Sequence, residues 1–572
     1  MSGIDNDIIG GNNAIGNGNN SGATIGGEPV IEVSHLSVTY HSARRDVTAV
    51  DDVTFTVRRG DTVGIVGESG SGKSTLVDTF LGILPQNADI TGSFSLFGED
   101  FTHAAEHEWR RVRGRILGFV PQDPRTNLDP TMTVGRQTEQ IVRLRHPERS
   151  RQEARERVVE LFTEVGIDRP ELRYRQYPHE LSGGLQQRVL IAQALASEPE
   201  IIVADEPTSA LDVTVQKRIL DVLESLVRKR GITLVMITHD LAVASDRTRR
   251  LLVIHNGRLV EQGDTRQVLD HPKESYTRHL LACAPAFQVR DNVLDDERGE
   301  HDGHENRAES VEPSDDGIAV NWNDVSKVYH ERGGRGEAFN ALDHVSLTAR
   351  TGRTLAIVGE SGSGKSTLLR LALALSAPTS GTVLVDGRNI HELHGRALRA
   401  ERRNFQLVQQ NPFDSLDPNY TVRKVIDEPL RSFGYGNRRR RSQRIAELLD
   451  RVSLPARLLD AKGSELSGGQ CQRVAIARAL AISPKILFLD EPVSALDVSV
   501  QSQILDLLKD LQESLGVTYV FVSHDLAVVA GLADDIAVLE HGSIVEHGSV
   551  EDVFGHPRNA YTKKLLDAIP GR

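Results

Sequence analysis

Two stretches of this 572-residue chain have the residues needed to hold a row of phosphates. Residues 67–75 read GESGSGKST, and residues 359–367 repeat that string without one change. Each follows a short apolar run and leads into helix-like sequence, the context a phosphate-binding loop requires. Gly67, Gly70 and Gly72 let the backbone curl so that successive N–H groups face inward, and the helix start adds positive potential. Within that curl Ser69 and Thr75 join the expected phosphate contacts. Lys73 would reach the β- and γ-phosphates, and the Ser74 hydroxyl would take Mg²⁺. In the second copy the same parts fall to Gly359, Ser361, Gly362, Gly364, Lys365, Ser366 and Thr367. The chain is expected to handle nucleotide at two places.

Each loop is followed by the same series of polar side chains. Gln122 and Gln410 stand just after short apolar runs and before a Pro-containing turn, so each amide is expected at a strand end, with its oxygen in the Mg²⁺ set. Leu-Ser-Gly-Gly comes next, with Ser182, Gly183 and Gly184 in the first half and Ser467, Gly468 and Gly469 in the second. A serine before a helix suits an N-cap, and the two following N–H groups suit an anion. Two unbroken apolar runs, 201–204 and 486–489, then end in Asp-Glu-Pro. Carboxylates at the C-terminal end of a central strand lie where α/β sheets bind ligands. Adjacent acids point to different sides, so Asp205 and Asp490 are expected to hold Mg²⁺, while Glu206 and Glu491 polarise an attacking water. His239 and His524 end further apolar runs, where each could hydrogen-bond a γ-phosphate and sense its loss. Tyr40 and Tyr329 end alternating runs upstream of the loops and could stack on adenine.

The elements that carry these residues recur at long period. The loops are offset by 292 residues, whereas the Ser-Gly-Gly motifs, Asp205 with Asp490, and His239 with His524 are all offset by 285. The second half therefore loses seven residues between loop and Ser-Gly-Gly, which suits an inserted, surface-facing subdomain there. Alternating residues over 31–40 and 50–57 predict half-exposed antiparallel strands. The unbroken runs predict strands buried on both faces of a parallel sheet. Helices are expected over 153–165 and 445–452. Both halves close on similar tails, at Tyr276 with Leu280 and Leu281, and at Tyr561 with Leu565 and Leu566.

Composition narrows the field. No run approaches the ~18 apolar residues of a membrane span, and the N-terminus shows no charged-then-apolar export signal. Residues 1–28 are Gly/Asn-rich and read as disordered. The net charge of −13 argues against a general nucleic-acid binder. Residues 288–317 carry eleven acidic against three basic side chains and read as a flexible linker between units at 29–287 and 318–572. The basic run 438–441, with Arg444, reads as the solvated start of an amphipathic helix, with contact to a partner or to lipid headgroups as the alternative. Cys283 and Cys471 are too few for a disulfide framework, which suits a reducing cytoplasm.

Loop, Gln, Leu-Ser-Gly-Gly, Asp-Glu, Ser-Ala-Leu-Asp (209–212 and 494–497) and His, in that order, resemble the ATP-binding-cassette ATPases. The resemblance implies an α/β fold of two tandem cassettes. Each would have a RecA-like P-loop core, an N-terminal antiparallel β subdomain and an inserted α-helical subdomain. It also implies ATP with Mg²⁺, clamped between one half's phosphate loop and the other's Ser-Gly-Gly, so that Lys73 shares a site with Ser467 and Lys365 with Ser182. Both sites are expected to hydrolyse.

More narrowly, residues 121–130 and 411–418 and the two tails resemble the paired ATPases of the dipeptide/oligopeptide/nickel importers. That implies two multi-span permease subunits, a short permease helix docking beside the Gln122 or Gln410 loop, an extracytoplasmic substrate-binding protein, and a peripheral place on the cytoplasmic face. Some relatives carry a cysteine-rich patch after the first tail, and with Cys283 alone there no iron–sulfur cluster is expected. Leu185 replaces the commoner Gln or Met at its motif position, and Val493 stands where the first half has Thr208, neither at a phosphate-contacting position. The competing reading is a soluble tandem ATPase acting on ribosomes or DNA, with an ATP-binding scaffold as a third. An acidic linker and the lack of zinc-binding cysteines count against the second reading, and the intact Glu206, Glu491, His239 and His524 count against the third.

Overall fold

The computed structural model describes residues 27–42, 45–208, 211–284, 287, 317–329, 338–494 and 496–571. The expected tail (1–28) and linker (288–317) lie outside these residues except for Gly27, Glu28 and Gly317, as do Ser209, Ala210 and Ala495.

Each half is built on a six-stranded sheet. In the first the order across the sheet is Arg258–Asp264, Arg250–His255, Thr62–Val66, Thr233–Thr238, Ile201–Asp205 and Leu117–Val120. All neighbours are parallel except the edge hairpin formed by the first two strands. The second half repeats this order with Ser543–Ser549, Asp535–Glu540, Thr354–Val358, Thr518–Ser523, Ile486–Asp490 and Phe405–Val408. Sequence pattern explains the sandwich. Ile201 and Val203 face one core, with Ile65, Phe80 and Phe94, while Ile202 and Ala204 face another, with Val120, Val158 and Leu220. Ile486 and Phe488 divide from Leu487 and Leu489 in the same way. A strand whose two faces both meet apolar layers has no reason to alternate, so its sequence runs unbroken.

The alternating segments do form antiparallel strands. Pro29–Tyr40 pairs with Val47–Arg58 and with Ala88–Leu96, and Ile318–Tyr329 pairs with Phe339–Arg350 and with Ser380–Val385. Between Gln122 and the Asp-Glu strand, three longer helices (Val134–Arg145, Arg151–Glu164, Gly183–Ala196) pack on one another, matched later by Val422–Ser432, Arg438–Arg451 and Gly468–Leu480. Arg438–Arg451 is the expected amphipathic helix: residues 438–440 are exposed, and Ile445, Leu448 and Leu449 are buried.

One expectation needs correction. The two Gln residues are 288 apart, so four of the seven lost residues fall before them and only three in the helical insert. Part of the shortening lies in the antiparallel sheet, where nine-residue Ala88–Leu96 is replaced by six-residue Ser380–Val385. A strand whose far side meets only a two-residue strand tolerates trimming as readily as a surface helix does.

Candidate functional site

Parallel strands bring their C-terminal ends to one edge, and there the chemistry-bearing residues collect. Across the first sheet that edge presents Gln122, Asp205 with Glu206, His239, and the loop that follows Val66. The loop needs glycine for a steric reason. Gly72 has φ 105° and precedes the helix Lys73–Leu81, and a Cβ there would stand 2.2 Å from the Ala49 carbonyl oxygen. Its counterpart Gly364, at φ 112°, would meet the Ala341 oxygen at 2.6 Å. Lys73 folds back on its own loop and donates to the Gly67 and Glu68 carbonyls, both at 2.7 Å. Lys365 does the same to Gly359 at 2.7 Å and Glu360 at 2.9 Å.

Beside the loop, each glutamate sits in a constrained backbone. Glu206 has φ 42° and Glu491 φ 46°, left-handed values that cost a non-glycine residue energy. Backbone bonds from Glu206 N to Ile237 O (2.8 Å) and from Glu491 N to Val522 O (2.9 Å) hold that turn. The twist separates each glutamate from the aspartate before it. Gln122 donates its amide to Glu206 Oε2 at 2.7 Å, and Gln410 donates to Glu491 Oε2 at 2.7 Å, which leaves each amide oxygen for a cation. His239 Nδ1 lies 2.8 Å from Glu206 Oε1, and His524 Nδ1 lies 3.0 Å from Glu491 Oε2. Burial pulls both imidazoles down, but the glutamate hydrogen bond and charge outweigh it and leave both raised. Asp205 is pushed up to about 6 by burial and then by the Glu206 charge, and Asp490 is raised for the same two reasons.

Both loops, both Gln–Glu–His sets, Tyr40 and Tyr329 line one cavity of about 1420 Å³. Burial depresses the Lys73 ammonium, with Glu206, Asp205 and then Asp497 of the other half opposing it. Lys365 is likewise depressed by burial, opposed by Glu491, by Asp212 of the first half, and by Asp490. Each lysine thus feels a carboxylate from across the molecule. The two aspartates also cap the helices that follow them, accepting from Val215 N at 3.0 Å and Val500 N at 3.1 Å. Sequence reasoning quoted the Ser-Ala-Leu-Asp repeat but gave these aspartates no role; its twofold recurrence was the available signal.

The Ser-Gly-Gly motifs behave as caps, as expected. Ser182 accepts from Leu185 N at 3.4 Å and Ser467 from Gln470 N at 3.3 Å. Of the six motif residues only Gly183 reaches the cavity wall. The other five stand back from it, Gly184 against Val215 and Gly469 against Val500. Tyr40 hydrogen-bonds the Thr75 hydroxyl at 3.2 Å, whereas Lys327 Nζ lies 5.0 Å over the Tyr329 ring. Neither cysteine belongs to the site. Cys471 is buried, which pushes its thiol up to about 11, and Cys283 packs at the contact between the halves beside Val498.

Fold and geometry together define a class, a P-loop nucleotide hydrolase made of two facing halves. Comparison with known proteins agrees. The ABC transporter family matches residues 50–209 and 342–494, and the oligopeptide/dipeptide transporter C-terminal region matches 260–309 and 545–571. The chain is 40 % identical over 604 residues to the oligopeptide transport ATP-binding protein OppD of Mycobacterium tuberculosis, covering 95 % of this chain and 98 % of that protein. It is 40 % identical to the peptidoglycan transport ATP-binding protein YejF of Agrobacterium fabrum (95 % and 96 % covered). To the glutathione import ATP-binding protein GsiA of Escherichia coli O157:H7 it is 38 % identical (95 % and 89 %). The chain belongs to the ABC transporter family and is an ATP-hydrolysing subunit of the oligopeptide/dipeptide type, which sets aside the ribosome- or DNA-acting alternative. Among the described residues no helix is long and apolar enough to cross a membrane.

Proposed function

We propose that the chain is the motor of a peptide importer. In this reading it sits on the cytoplasmic face of the membrane and drives two multi-span permease subunits supplied by an extracytoplasmic substrate-binding protein. The relatives' cargoes by name (oligopeptides, glutathione, peptidoglycan) favour peptide-bearing substrates. The working units are residues 29–287 and 318–572. Two composite sites bind ATP: the Lys73 loop with Ser467, Gly468 and Gly469 opposite, and the Lys365 loop with Ser182, Gly183 and Gly184 opposite. The facing of the two halves carries this reading: Lys73 with Asp497 and Lys365 with Asp212 line one cavity, and Thr214 of the first half lies 2.6 Å from Glu360 of the second loop, so each site depends on both halves.

The residues present fit a divalent cation. Asp205 and Glu206 put adjacent carboxylates on the cavity wall, and Ser74 and the Gln122 oxygen add neutral donors there. Ser366, Gln410 and Asp490 form the matching set. Bound there, Mg²⁺ would neutralise phosphate charge. Glu206 and Glu491 accept a proton from the attacking water, and His239 and His524, fixed through Nδ1, keep Nε2 for the γ-phosphate. Tyr40 and Tyr329 carry the adenine. Loss of the γ-phosphate removes the group that both halves grip, and the halves can part.

Affinity purification of the chain from detergent-solubilised membranes tests the transport reading. Two polytopic subunits should copurify; ribosomal or DNA-repair partners in their place would overturn it.

A further inference from the structure

The second phosphate loop is tied to more than its own half. Glu360, the residue after Gly359, donates its backbone N–H to the Tyr561 hydroxyl at 3.0 Å, and its carboxylate accepts from Lys564 Nζ at 3.1 Å. Both partners lie on the C-terminal helix Ala560–Leu566. The same carboxylate oxygen lies 2.6 Å from Thr214 Oγ1, in the first turn of Val213–Arg230 in the first half, whose single proton is shared between Glu360 and Asp212 at 2.9 Å. One turn along that helix, Lys217 Nζ donates to the Asp567 carbonyl at 2.6 Å. Further on, Gly571 N–H donates to Asp246 of the first half at 3.0 Å. Burial pushes the Glu360 carboxyl up, but Thr214 and Lys564 outweigh it and hold it below its ordinary range.

The first loop has only part of this arrangement. Glu68 N–H donates to the Tyr276 hydroxyl at 3.1 Å. The position equivalent to Lys564 is His279, which sits against Cys283 at 3.7 Å. The position equivalent to Thr214 is Ser499, whose hydroxyl bonds Asp497 at 3.0 Å just as Thr214 bonds Asp212 at 2.9 Å, but among the described residues no bond from Ser499 to Glu68 matches Thr214–Glu360, and Lys217 becomes Ser502. Among the described residues the Glu68 carboxylate makes no hydrogen bond or ion pair.

We propose that Glu360, held by Lys564 and Thr214, is a positioning residue that braces the second phosphate loop against the opposing half, so that nucleotide on Lys365 is gripped more tightly than nucleotide on Lys73. The proposal rests on each site being shared between halves. A loop fixed at both an N–H and a carboxylate has less freedom left to lose when phosphates bind, and that preorganisation is read out as affinity. The C-terminal helix then acts as a latch, joining its own loop to the helix that follows Asp212.

Binding of a fluorescent ATP analogue (mant-ATP) to the full chain, with one loop disabled at a time, tests this. Lys73→Ala leaves only the second loop competent, and Lys365→Ala only the first. In the Lys73→Ala chain, Lys564→Ala should weaken binding about fivefold, the scale of a part-exposed ion pair. Thr214→Val should act in the same direction from the opposite half, and Lys564→Arg should restore affinity. In the Lys365→Ala chain, neither Lys564→Ala nor His279→Ala should change binding. Equal weakening at both sites, or no weakening at either, overturns the latch, as does a loss that tracks a lowered melting temperature and is not rescued by arginine. Ser182→Arg in the Lys73→Ala chain reports separately on sharing. If it weakens binding while Lys564→Ala does not, the latch alone fails; if neither weakens binding, both readings fail.

Discussion

The two halves match closely where the chemistry is expected and diverge one layer out. Gln–Glu distances are 2.7 Å in both, His–Glu distances are 2.8 and 3.0 Å, and each lysine holds its glycine carbonyl at 2.7 Å. Around this common centre, Val47 of the first half pairs with Tyr40, where the second half pairs Phe339 with Tyr329. Arg125 on the cavity wall is matched by Phe413, and His279 by Lys564. Duplicated chemistry tolerates little change at the reacting groups, because strand-end geometry and a left-handed glutamate must both be kept. Surrounding residues are free to drift and so to set how tightly each site holds and releases nucleotide.

The largest effect should come from the shared centre. Replacing Glu206 and Glu491 together with glutamine should lower phosphate release by about 10²–10⁴, the share of general-base help. Undiminished release would remove both from the proton-accepting role. Gly72→Ala and Gly364→Ala should each cost roughly 1–3 kcal/mol in denaturant melts, since both are left-handed and meet a backbone oxygen. The first, with its closer 2.2 Å approach, should cost more. Equal or negligible losses would mean that the loops yield where we describe them as rigid. At the periphery, Phe339→Ala should weaken mant-ATP binding in the Lys73→Ala chain by about two- to twelvefold, the worth of an aromatic contact of ~0.5–1.5 kcal/mol. Val47→Ala in the Lys365→Ala chain should do less. Smallest of all, Asn437→Ala, which removes the cap on Arg440 N, should cost about 1 kcal/mol of stability in urea melts with no change in ATP turnover.

Much of this was legible in the chain itself. The unbroken runs at 201–204 and 486–489 gave buried parallel strands, and their Asp-Glu endings told which edge carries the chemistry. The Ser182 and Ser467 caps followed from residue type alone. What escaped needed three dimensions. Nothing in residue 206 announces φ 42°, because that value is imposed by the ladder bond to Ile237. Asp212 and Asp497 read locally as helix caps, and their place on the same cavity wall as the opposite lysine exists only once the halves face each other. The tails were visible as a repeat, but a tyrosine some two hundred residues from Glu68 or Glu360 carries no mark of the loop it touches. The seven lost residues divide at Gln122 and Gln410, whose offset of 288 lies between the 292 of the loops and the 285 of Ser-Gly-Gly, so the loop and Ser-Gly-Gly offsets alone do not place them.

The central claim is that nucleotide is clamped between the phosphate loop of one half and the Ser-Gly-Gly helix of the other. Ser69 and Ser467 are both exposed, and the two native cysteines are buried and can be replaced by serine. In that background, Ser69→Cys with Ser467→Cys should form an intramolecular disulfide under mild oxidation when ATP is bound to the Glu206→Gln, Glu491→Gln chain, and should form it far more slowly without nucleotide. Failure to bridge with ATP bound, or bridging at the same rate with and without it, would contradict the account.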